Sequence, residues 1–366
     1  MLAARGRSLA LLGALTWGCA RGRPTAVIGY AFPRWGEEAV RAATDEVASW
    51  PSAHRPVIRI IYDTAFTSDP ADVEVQRAQR FAAMTDLVGV VGHGSSRGSL
   101  VASPVYNEAG IPQIAPTSTS RLLHGVGPWT FMLAPDDSAE GAFMAAFAAE
   151  RLGAQRISIF FVNDEYGAGL RDGVRAELQR RRVAVLDEVG FGTESDFAAL
   201  VGASLRRGRP DVILVAGRQL ATARIARAAE SRAPGMRVVA GDGALVLPAL
   251  TDAAGRAADS IYVVAFWLPD APDSLSRAFV ERFRRIASRV PQSSDAMSHD
   301  ALMLLAAAVR DVGPSRVAIR DYLRELGRER APYPGVTGPI SFRPDRAPRL
   351  VMARLAHGVP VRVEAP

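Results

Sequence analysis

The sequence predicts an α/β protein made of two similar lobes, each with a mainly parallel sheet. Short apolar runs rich in β-branched residues alternate with amphipathic stretches of about 12 to 15 residues, which is typical of strands joined by crossover helices. This alternation runs twice, first over residues 25–121 and again over residues 138–265. Two consecutive doubly wound series in one chain indicate two lobes, and ligands favour the cleft between lobes.

The first series is predicted to hold four strands. Its second helix has Asp69 as a candidate N-cap and Pro70 at its first position, where the missing N–H is tolerated. A Gly-rich turn after the third strand opens another helix. In chain order the elements are strand 25–31, helix 37–50, strand 57–62, helix 70–84, strand 87–91, the helix after the Gly-rich turn, and strand 111–115.

The second series repeats the same unit, and three helices and a strand follow it. The Pro-containing segments 266–272 and 332–345 are natural crossing points between lobes. In chain order we predict helix 138–152, strand 156–162, helix 167–181, strand 183–189, helix 195–207, strand 212–216, helix 219–231, strands 238–241 and 261–265, helices 273–288, 296–312 and 315–327, and strand 350–356.

The composition is that of a globular protein and argues against a nucleic-acid partner. Of the 366 residues, 48% are hydrophobic and 22% are charged. The formal net charge is +6, and every basic residue is an arginine. These arginines are scattered along amphipathic helices among Asp and Glu, whereas nucleic-acid binders gather basic residues on one face with aromatics between them. We therefore interpret the charge as solvated surface.

The N-terminus has the pattern of an export signal, predicted to span residues 1–20. Arg5 and Arg7 precede an apolar stretch, residues 8–18, that has the length of a signal-peptide core and is too short to cross a bilayer. Cys19, the single cysteine, excludes an internal disulfide and resembles the acylated cysteine of a bacterial lipoprotein. Three readings stay open: lipid attachment at Cys19, ordinary cleavage that releases a free periplasmic protein, and a cytosolic chain with an apolar start.

The centre of the first series, residues 86–121, predicts an anion-binding cradle. The strand at 87–91 runs into a Gly-rich turn that opens a helix, so backbone N–H groups lie beside the hydroxyls of Ser95 and Ser96. Parallel strands end at the same sheet edge, so this loop and the loop after the next strand form a crevice for a small ligand. The second loop supplies three hydroxyl side chains, Thr117, Ser118 and Thr119.

Enzyme motifs are incomplete in this sequence, so we expect a binding protein with no cofactor and no metal. In Gly92-His-Gly-Ser-Ser-Arg-Gly98 the third glycine comes one residue late for a dinucleotide fingerprint, and the motif follows the third strand. A serine lies there between glycines as in a hydrolase nucleophile elbow, but His299 and His357 lack the supporting context. The five histidines lack metal-ligand spacing, and a phosphate-binding Gly-Lys loop requires a lysine.

An ordered set of motifs makes the chain resemble the type I periplasmic binding proteins, specifically the branched-chain amino-acid (leucine, isoleucine and valine) binding proteins of ABC transporters. The resemblance covers nearly the whole mature chain. The motifs are Arg34-Trp-Gly36, Gly92 to Ser96, Gly110-Ile-Pro with Pro116 to Thr119, Asn163-Asp-Glu-Tyr-Gly167, Pro210 to Ile213, Gly241-Asp-Gly243 and His299-Asp-Ala301.

The resemblance implies two Rossmann-like lobes joined by a hinge of three crossings, which closes on a ligand in the cleft. It places residues 24–136 and 267–335 in the first lobe. Residues 137–266 and 336–366 form the second lobe.

The resemblance also implies a site that binds both ends of an amino acid. The family holds the ligand's α-carboxylate at positions that match Ser95 or Ser96 and the loop of Thr117, Ser118 and Thr119, through N–H groups and hydroxyls. The α-ammonium goes to an acid, and Asp242 stands at the matching place. By pattern alone, an Asp between glycines is more often only a turn former.

Four further positions follow from the resemblance. Trp35 and Tyr166 match aromatic residues that close over the ligand from the two lobes, and His299, or its neighbour Ser298, matches a helix start that faces the cleft. Arg218 departs from the family pattern, which often has an aromatic or small residue there. A cleft-facing Arg218 would favour an acidic or polar ligand group; the alternative is that it points into solvent from the helix start.

We therefore expect an exported substrate-binding protein of an ABC importer, in the periplasm or at the cell surface. It binds an amino acid or a similar small polar ligand by hinge closure, performs no chemistry and delivers the ligand to a membrane permease. We expect a monomer. Two alternatives stay open: a ligand-sensing regulatory protein of the same fold, such as an amide or amino-acid receptor, and a periplasmic interaction protein with a degenerate cleft.

Overall fold

The computed structural model describes residues 25–32, 36–52, 55–63, 71–343 and 349–365. The predicted signal segment with Cys19 lies outside these residues, as do Trp35 and the predicted Asp69-Pro70 cap. The described residues form two separate, largely parallel sheets with helices, which confirms the predicted α/β class and its two lobes. Within these ranges no helix is long and apolar enough to cross a membrane.

The first lobe contains a five-stranded parallel sheet. Its elements are β1 (Thr25–Ala31), α1 (Glu37–Ser49), β2 (Val57–Tyr62), α2 (Ala71–Ala82), β3 (Leu87–Gly92), α3 (Ser96–Ala109), β4 (Gln113–Ala115) and β5 (Thr130–Met132). The strand order is β2-β1-β3-β4-β5. All six residues of β3 are buried, as expected for a parallel strand with helices on both faces.

The second lobe begins with five more strands and their helices. These are α4 (Asp137–Glu150), β6 (Arg156–Val162), α5 (Glu165–Arg181), β7 (Ala184–Phe191), α6 (Phe197–Arg207), β8 (Val212–Ala216), α7 (Gln219–Arg232), β9 (Arg237–Ala240), α8 (Ala249–Ala254) and β10 (Ile261–Ala265). The five strands pair in parallel, in the order β10-β9-β8-β6-β7.

After β10 the chain returns to the first lobe and then enters the second lobe again. The remaining elements are α9 (Ser274–Ile286), α10 (Ser293–Val312), α11 (Arg316–Glu325), β11 (Tyr333–Gly335), β12 (Gly338–Ile340), β13 (Val351–Ala356) and β14 (Val359–Val363). α10 and α11 pack in the core of the first lobe. β13 pairs antiparallel with β10, and β14 pairs antiparallel with β13, so the second sheet has seven strands.

The hairpin of β11 and β12 stays with the first lobe. Ile340 is buried in the same core cluster as Tyr30 of β1 and Leu304 of α10. The boundary that the sequence predicts between residues 335 and 336 therefore falls inside this hairpin. The last passage into the second lobe comes after residue 340.

Most predicted elements are present, and the missed ones have a physical reason. Strands β5, β11 and β12 have three residues each, too few to show a periodicity. β14 is an edge strand that contains Pro360, a residue that disfavours strand prediction. α10 begins at Ser293, earlier than predicted, because Gln292 and Asp295 form a capping box. Predicted bounds that agree with the structure are 57–62, 156–162, 212–216 and 261–265.

The packing of α10 on β3 gives a first testable prediction. Leu305 is fully buried and lies against Gly89, where a strand residue without a side chain leaves room for it. We expect Leu305→Ala to lower the free energy of unfolding by about 2 to 5 kcal/mol, because it leaves a cavity. Chemical denaturation followed by circular dichroism measures this loss.

Leu122→Ala is the matched control, since Leu122 is 66% exposed. It should change the free energy of unfolding by less than about 0.5 kcal/mol. Equal losses in the two variants would contradict the role of Leu305 in the core.

Candidate ligand-binding cleft

The Gly-rich turn after β3 leads into α3, as the sequence predicts. Ser95 is the N-cap residue, and its Oγ accepts a hydrogen bond from the N–H of Gly98 at 3.0 Å. This hydroxyl oxygen therefore caps the N-terminus of α3. The first N–H groups of a helix have no partner within it, so the turn keeps backbone donors that suit an anion.

Ser96 and Thr119 join the two polar loops at the edge of the first sheet. The N–H of Thr119 donates to Oγ of Ser96 at 3.2 Å, and both residues are buried. A hydroxyl that accepts one hydrogen bond still has its own proton to donate. Thr117, two residues earlier, is half-buried. The loops after β3 and β4 thus meet, as the parallel topology predicts.

Ser118 and His93 pack behind the two polar loops, inside the first lobe. Oγ of Ser118 lies 2.8 Å from Oγ of Ser99 on α3, and the Ser118 side chain is completely buried. The Ser118 hydroxyl is therefore engaged with α3 inside the first lobe. Nε2 of the buried His93 lies 3.0 Å from the hydroxyl of Tyr106, and its Nδ1 contacts the carboxylate of Glu74.

Asp242 and Tyr166 form the facing part of the second lobe. The hydroxyl of Tyr166 donates to Oδ1 of Asp242 at 3.1 Å and accepts from the N–H of Gly243 at 3.1 Å. A Cβ at Gly241 would lie 2.7 Å from the same hydroxyl, so this close approach requires glycine. The structure brings together these two residues, which the sequence analysis assigns to one site.

Two buried acids on α4, Asp137 and Glu140, belong to the same group and were missed by the sequence analysis. Oε1 of Glu140 accepts from the N–H of Asp242 at 2.6 Å. The N–H of Asp137 donates to the carbonyl of Thr119 at 2.8 Å, which joins this group to the first lobe. The spacing of the two acids is a usable signal, because residues three apart share one helix face.

The three carboxyl groups are buried, and burial is the main reason that the pKa of each is raised. Burial raises the pKa of Asp242 to about 6, against a hydrogen bond from Tyr166 that lowers it. Burial also raises the pKa of Asp137 to about 7, against a hydrogen bond from Thr119. Burial and the charge of Asp242 raise the pKa of Glu140 well above its ordinary value. Within the described ranges no group of His, Cys, Asp and Glu residues is suited to a metal ion.

Arg218 lies at the rim of this group and is ion-paired within the second lobe. Its Nη1 is 2.7 Å from Oδ2 of Asp164, the N-cap residue of α5. The guanidinium carbon is 5.5 Å from the centre of the Tyr166 ring, and the side chain is 48% exposed. Arg218 therefore combines features of the two predicted alternatives: it lies near Tyr166 in the candidate site, and about half of its side chain is in solvent.

His299 lies apart from the other predicted site residues, in the interior of the first lobe. Its Nε2 is 3.2 Å from Oε2 of Glu46 on α1, and its ring packs against Phe279 with centroids 4.7 Å apart. The residue is 1% exposed. This corrects the expectation that His299 faces the cleft: α10 is buried on all sides along this stretch, because it is the central helix of the core.

The fold and this arrangement define a two-lobed solute-binding protein, and comparison with known families agrees. The family model of the periplasmic binding protein matches residues 31–353, and the chain belongs to this family. Leu/Ile/Val-binding protein homolog 1 of Brucella abortus is 26% identical over 333 residues, 89% of this chain and 85% of that protein. The amino acid binding protein of Pseudomonas aeruginosa is 28% identical over 242 residues, 64% and 63% of the two chains.

Solved structures share the fold over nearly the whole chain. The leucine-binding protein LivK of Thermotoga maritima has a TM-score of 0.84 at 23% identity and covers 93% of this chain and 98% of its own. A solute-binding protein of an ABC transporter from R. palustris, in complex with benzoate, has a TM-score of 0.79 at 16% identity, covering 94% and 96%. The chain is thus a periplasmic binding protein, and it shares the two-lobed fold of LivK. Proteins of this kind are not enzymes, in agreement with the expectation from the sequence.

The cap at Ser95 yields a second testable prediction. We expect Ser95→Ala to lower the free energy of unfolding by about 0.5 to 2 kcal/mol, because the N–H of Gly98 loses its acceptor. Urea denaturation measures the change. Ser95→Asp keeps a capping oxygen and serves as the control, so equal destabilisation by the two substitutions would contradict the cap.

Proposed function

We propose that this protein is the extracytoplasmic substrate-binding component of an ABC importer. It binds an amino acid or a similar small polar ligand between its two lobes. Curated relatives described as Leu/Ile/Val-binding protein homologues support this proposal, since they match most of the chain. The permease in the cytoplasmic membrane is the partner that receives the ligand.

The observation that carries the proposal is the pairing of opposite chemistries across the cleft. The first lobe offers the hydroxyl proton of Ser96, whose oxygen accepts from the N–H of Thr119, and the first N–H groups of α3. The second lobe offers the carboxylate of Asp242 beside the hydroxyl of Tyr166. Oriented neutral donors stabilise a carboxylate, and a carboxylate stabilises an ammonium group, so the two halves suit the two ends of a zwitterion.

Hinge closure follows from contacts that only the closed form can make. A ligand shifts an equilibrium between open and closed forms only by its difference in affinity for them. A zwitterion held at both ends has such a difference, because each lobe alone binds one end. Trp35 is proposed to cover the ligand from the first lobe and Tyr166 from the second, while Arg218 lines the rim.

Binding measurements test the site directly. We expect Asp242→Asn and Thr119→Val each to weaken amino-acid binding by at least about tenfold, which corresponds to about 1.4 kcal/mol. Isothermal titration against amino acids, short amides and aromatic acids measures this change. Asp242→Asn removes the negative charge proposed to bind the ammonium group, and Thr119→Val removes the hydroxyl that hydrogen-bonds to Asp137 where the two lobes meet.

Asp252→Asn is the control for these titrations, since Asp252 is an exposed acid on α8 of the same lobe. It should leave the affinity unchanged. Full affinity in the Asp242 and Thr119 variants would place the ligand elsewhere. A panel without any binder would argue against the transport function.

The proposed function requires export, which would remove the N-terminal signal segment. We expect export, with either lipid attachment at Cys19 or cleavage that leaves a free N-terminus near Arg21. Mass spectrometry of protein isolated from a bacterial host separates the two, since acylation adds the mass of a lipid to a chain that begins at Cys19. An intact chain that begins at Met1 would contradict export.

A further inference from the structure

Glu140 has a buried carboxyl oxygen, Oε2, that accepts no hydrogen bond from an N–H or hydroxyl group of the described residues. The residue is 0% exposed. The carboxyl groups of Glu140 and Asp242 lie within hydrogen-bonding reach of each other, so a proton can be shared between them. Its other oxygen, Oε1, accepts from the N–H of Asp242 at 2.6 Å. Asp137, one turn away on α4, likewise has an unpartnered, buried Oδ1. Buried acceptors without donors are unfavourable, so each one calls for an explanation such as a group that binds there.

The surroundings of Glu140 are dominated by negative charge. The cation whose charge acts on Asp242 is Arg218, and Asp164 already forms an ion pair with it. Asp136 caps α4 and is bonded to His124. Glu140 interacts electrostatically with Asp137 on α4, with Tyr166 on α5 and with Asp242 in the loop after β9. Around these groups, Asp136 and Asp164 act on Asp137, and Arg218 acts on Asp242.

Three carboxylates so close together cannot all be ionised in a site withdrawn from water. Like charges in a medium of low dielectric constant raise one another's proton affinity, and the protons then belong to the group rather than to one residue. Like charge contributes in this way to the raised pKa values of Glu140 and Asp137, whereas the pKa of Asp242 is raised by its burial. A ligand's ammonium group would remove the need for the proton, because it brings the missing positive charge.

We infer that Glu140 is a specificity-determining residue: together with Asp137 and Asp242 it holds a proton in the empty cleft and gives it up when a cationic group of the ligand enters. The inference rests on the proposed function and narrows its ligand class. The site selects a zwitterion that carries an ammonium group over a carboxylic acid of the same skeleton that lacks one. Proton release then accompanies ligand binding.

The ligand-free protein provides the first test. An acid whose pKa is higher in the folded than in the unfolded state contributes stability at low pH and loses that contribution as the pH rises. We therefore expect the melting temperature of the wild type to fall relative to that of Glu140→Gln between about pH 5 and about pH 8, by about 2 °C or more. Glu150→Gln on the exposed end of α4 is the control and should follow the wild type.

Parallel pH profiles of the wild type and Glu140→Gln would overturn the inference without any ligand. Asp137→Asn repeats the comparison should Glu140→Gln fail to fold. A panel without a binder would count against the proposed function alone, since this test measures the proton in the empty cleft.

Proton release is the second test. The enthalpy of binding is measured at about pH 6.5 in phosphate and in Bis-Tris, whose ionisation enthalpies differ, with L-leucine as the probe. We expect roughly 0.5 to 1 proton released per L-leucine bound by the wild type, and less than about half of that by Glu140→Gln. Binding of 4-methylpentanoate, which has the same skeleton without the amino group, should be at least about tenfold weaker.

Buffer-independent enthalpies for L-leucine would overturn the inference while leaving the proposed function intact. Equal affinity for L-leucine and 4-methylpentanoate would do the same, because the ammonium group would then contribute nothing.

Discussion

Thr119 connects the two halves of the cleft, and the arrangement of the site depends on its backbone. Its N–H donates to Ser96 at the start of α3, and its carbonyl accepts from Asp137 at the start of α4. One residue in a loop of the first lobe thus fixes the position of the first helix of the second lobe. The hydrogen-bond donors that suit an anion and the acids that suit a cation therefore keep a fixed position relative to each other. A shift of this loop would move both groups.

The sheets make this connection possible because their strands are parallel. In a parallel sheet the carboxyl ends of neighbouring strands share one edge, so loops far apart in sequence converge. β3 and β4 bring Ser96 and Thr119 together in this way, and β9 carries Asp242 to the corresponding edge of the second sheet. The completely buried strands and α10 give these edges a rigid base. The site itself consists of loops and first helical turns, where polar backbone groups remain to be satisfied.

The architecture could be predicted from the sequence because hydrophobic periodicity and the Gly and Pro residues that end helices and strands are local properties. The resemblance added Tyr166 and Asp242, which the structure does bring together. It could not separate Ser118 from Ser96, since both are hydroxyls in the right loops and only packing turns Ser118 onto Ser99. It placed His299 at the cleft because a helix start was expected there, whereas α10 begins earlier and its packing against α1 and α9 buries the histidine. The spacing of Asp137 and Glu140 places both acids on one face of α4, but their burial is a tertiary property that the sequence does not show, so Glu140 was missed.

The fold alone does not choose the ligand in this family. LivK, a leucine-binding protein, and a protein in complex with benzoate share this fold with TM-scores of 0.84 and 0.79. Both kinds of ligand carry a carboxylate, so the donors of the first lobe suit either one. What differs is the rest of the ligand, which the second lobe must accept. A buried group of three acids stabilises a cation and repels a second anion, and an uncharged aromatic ring would leave its oxygens unpaired. The acids on α4 therefore determine whether the ligand has an ammonium group, which the shared fold does not determine.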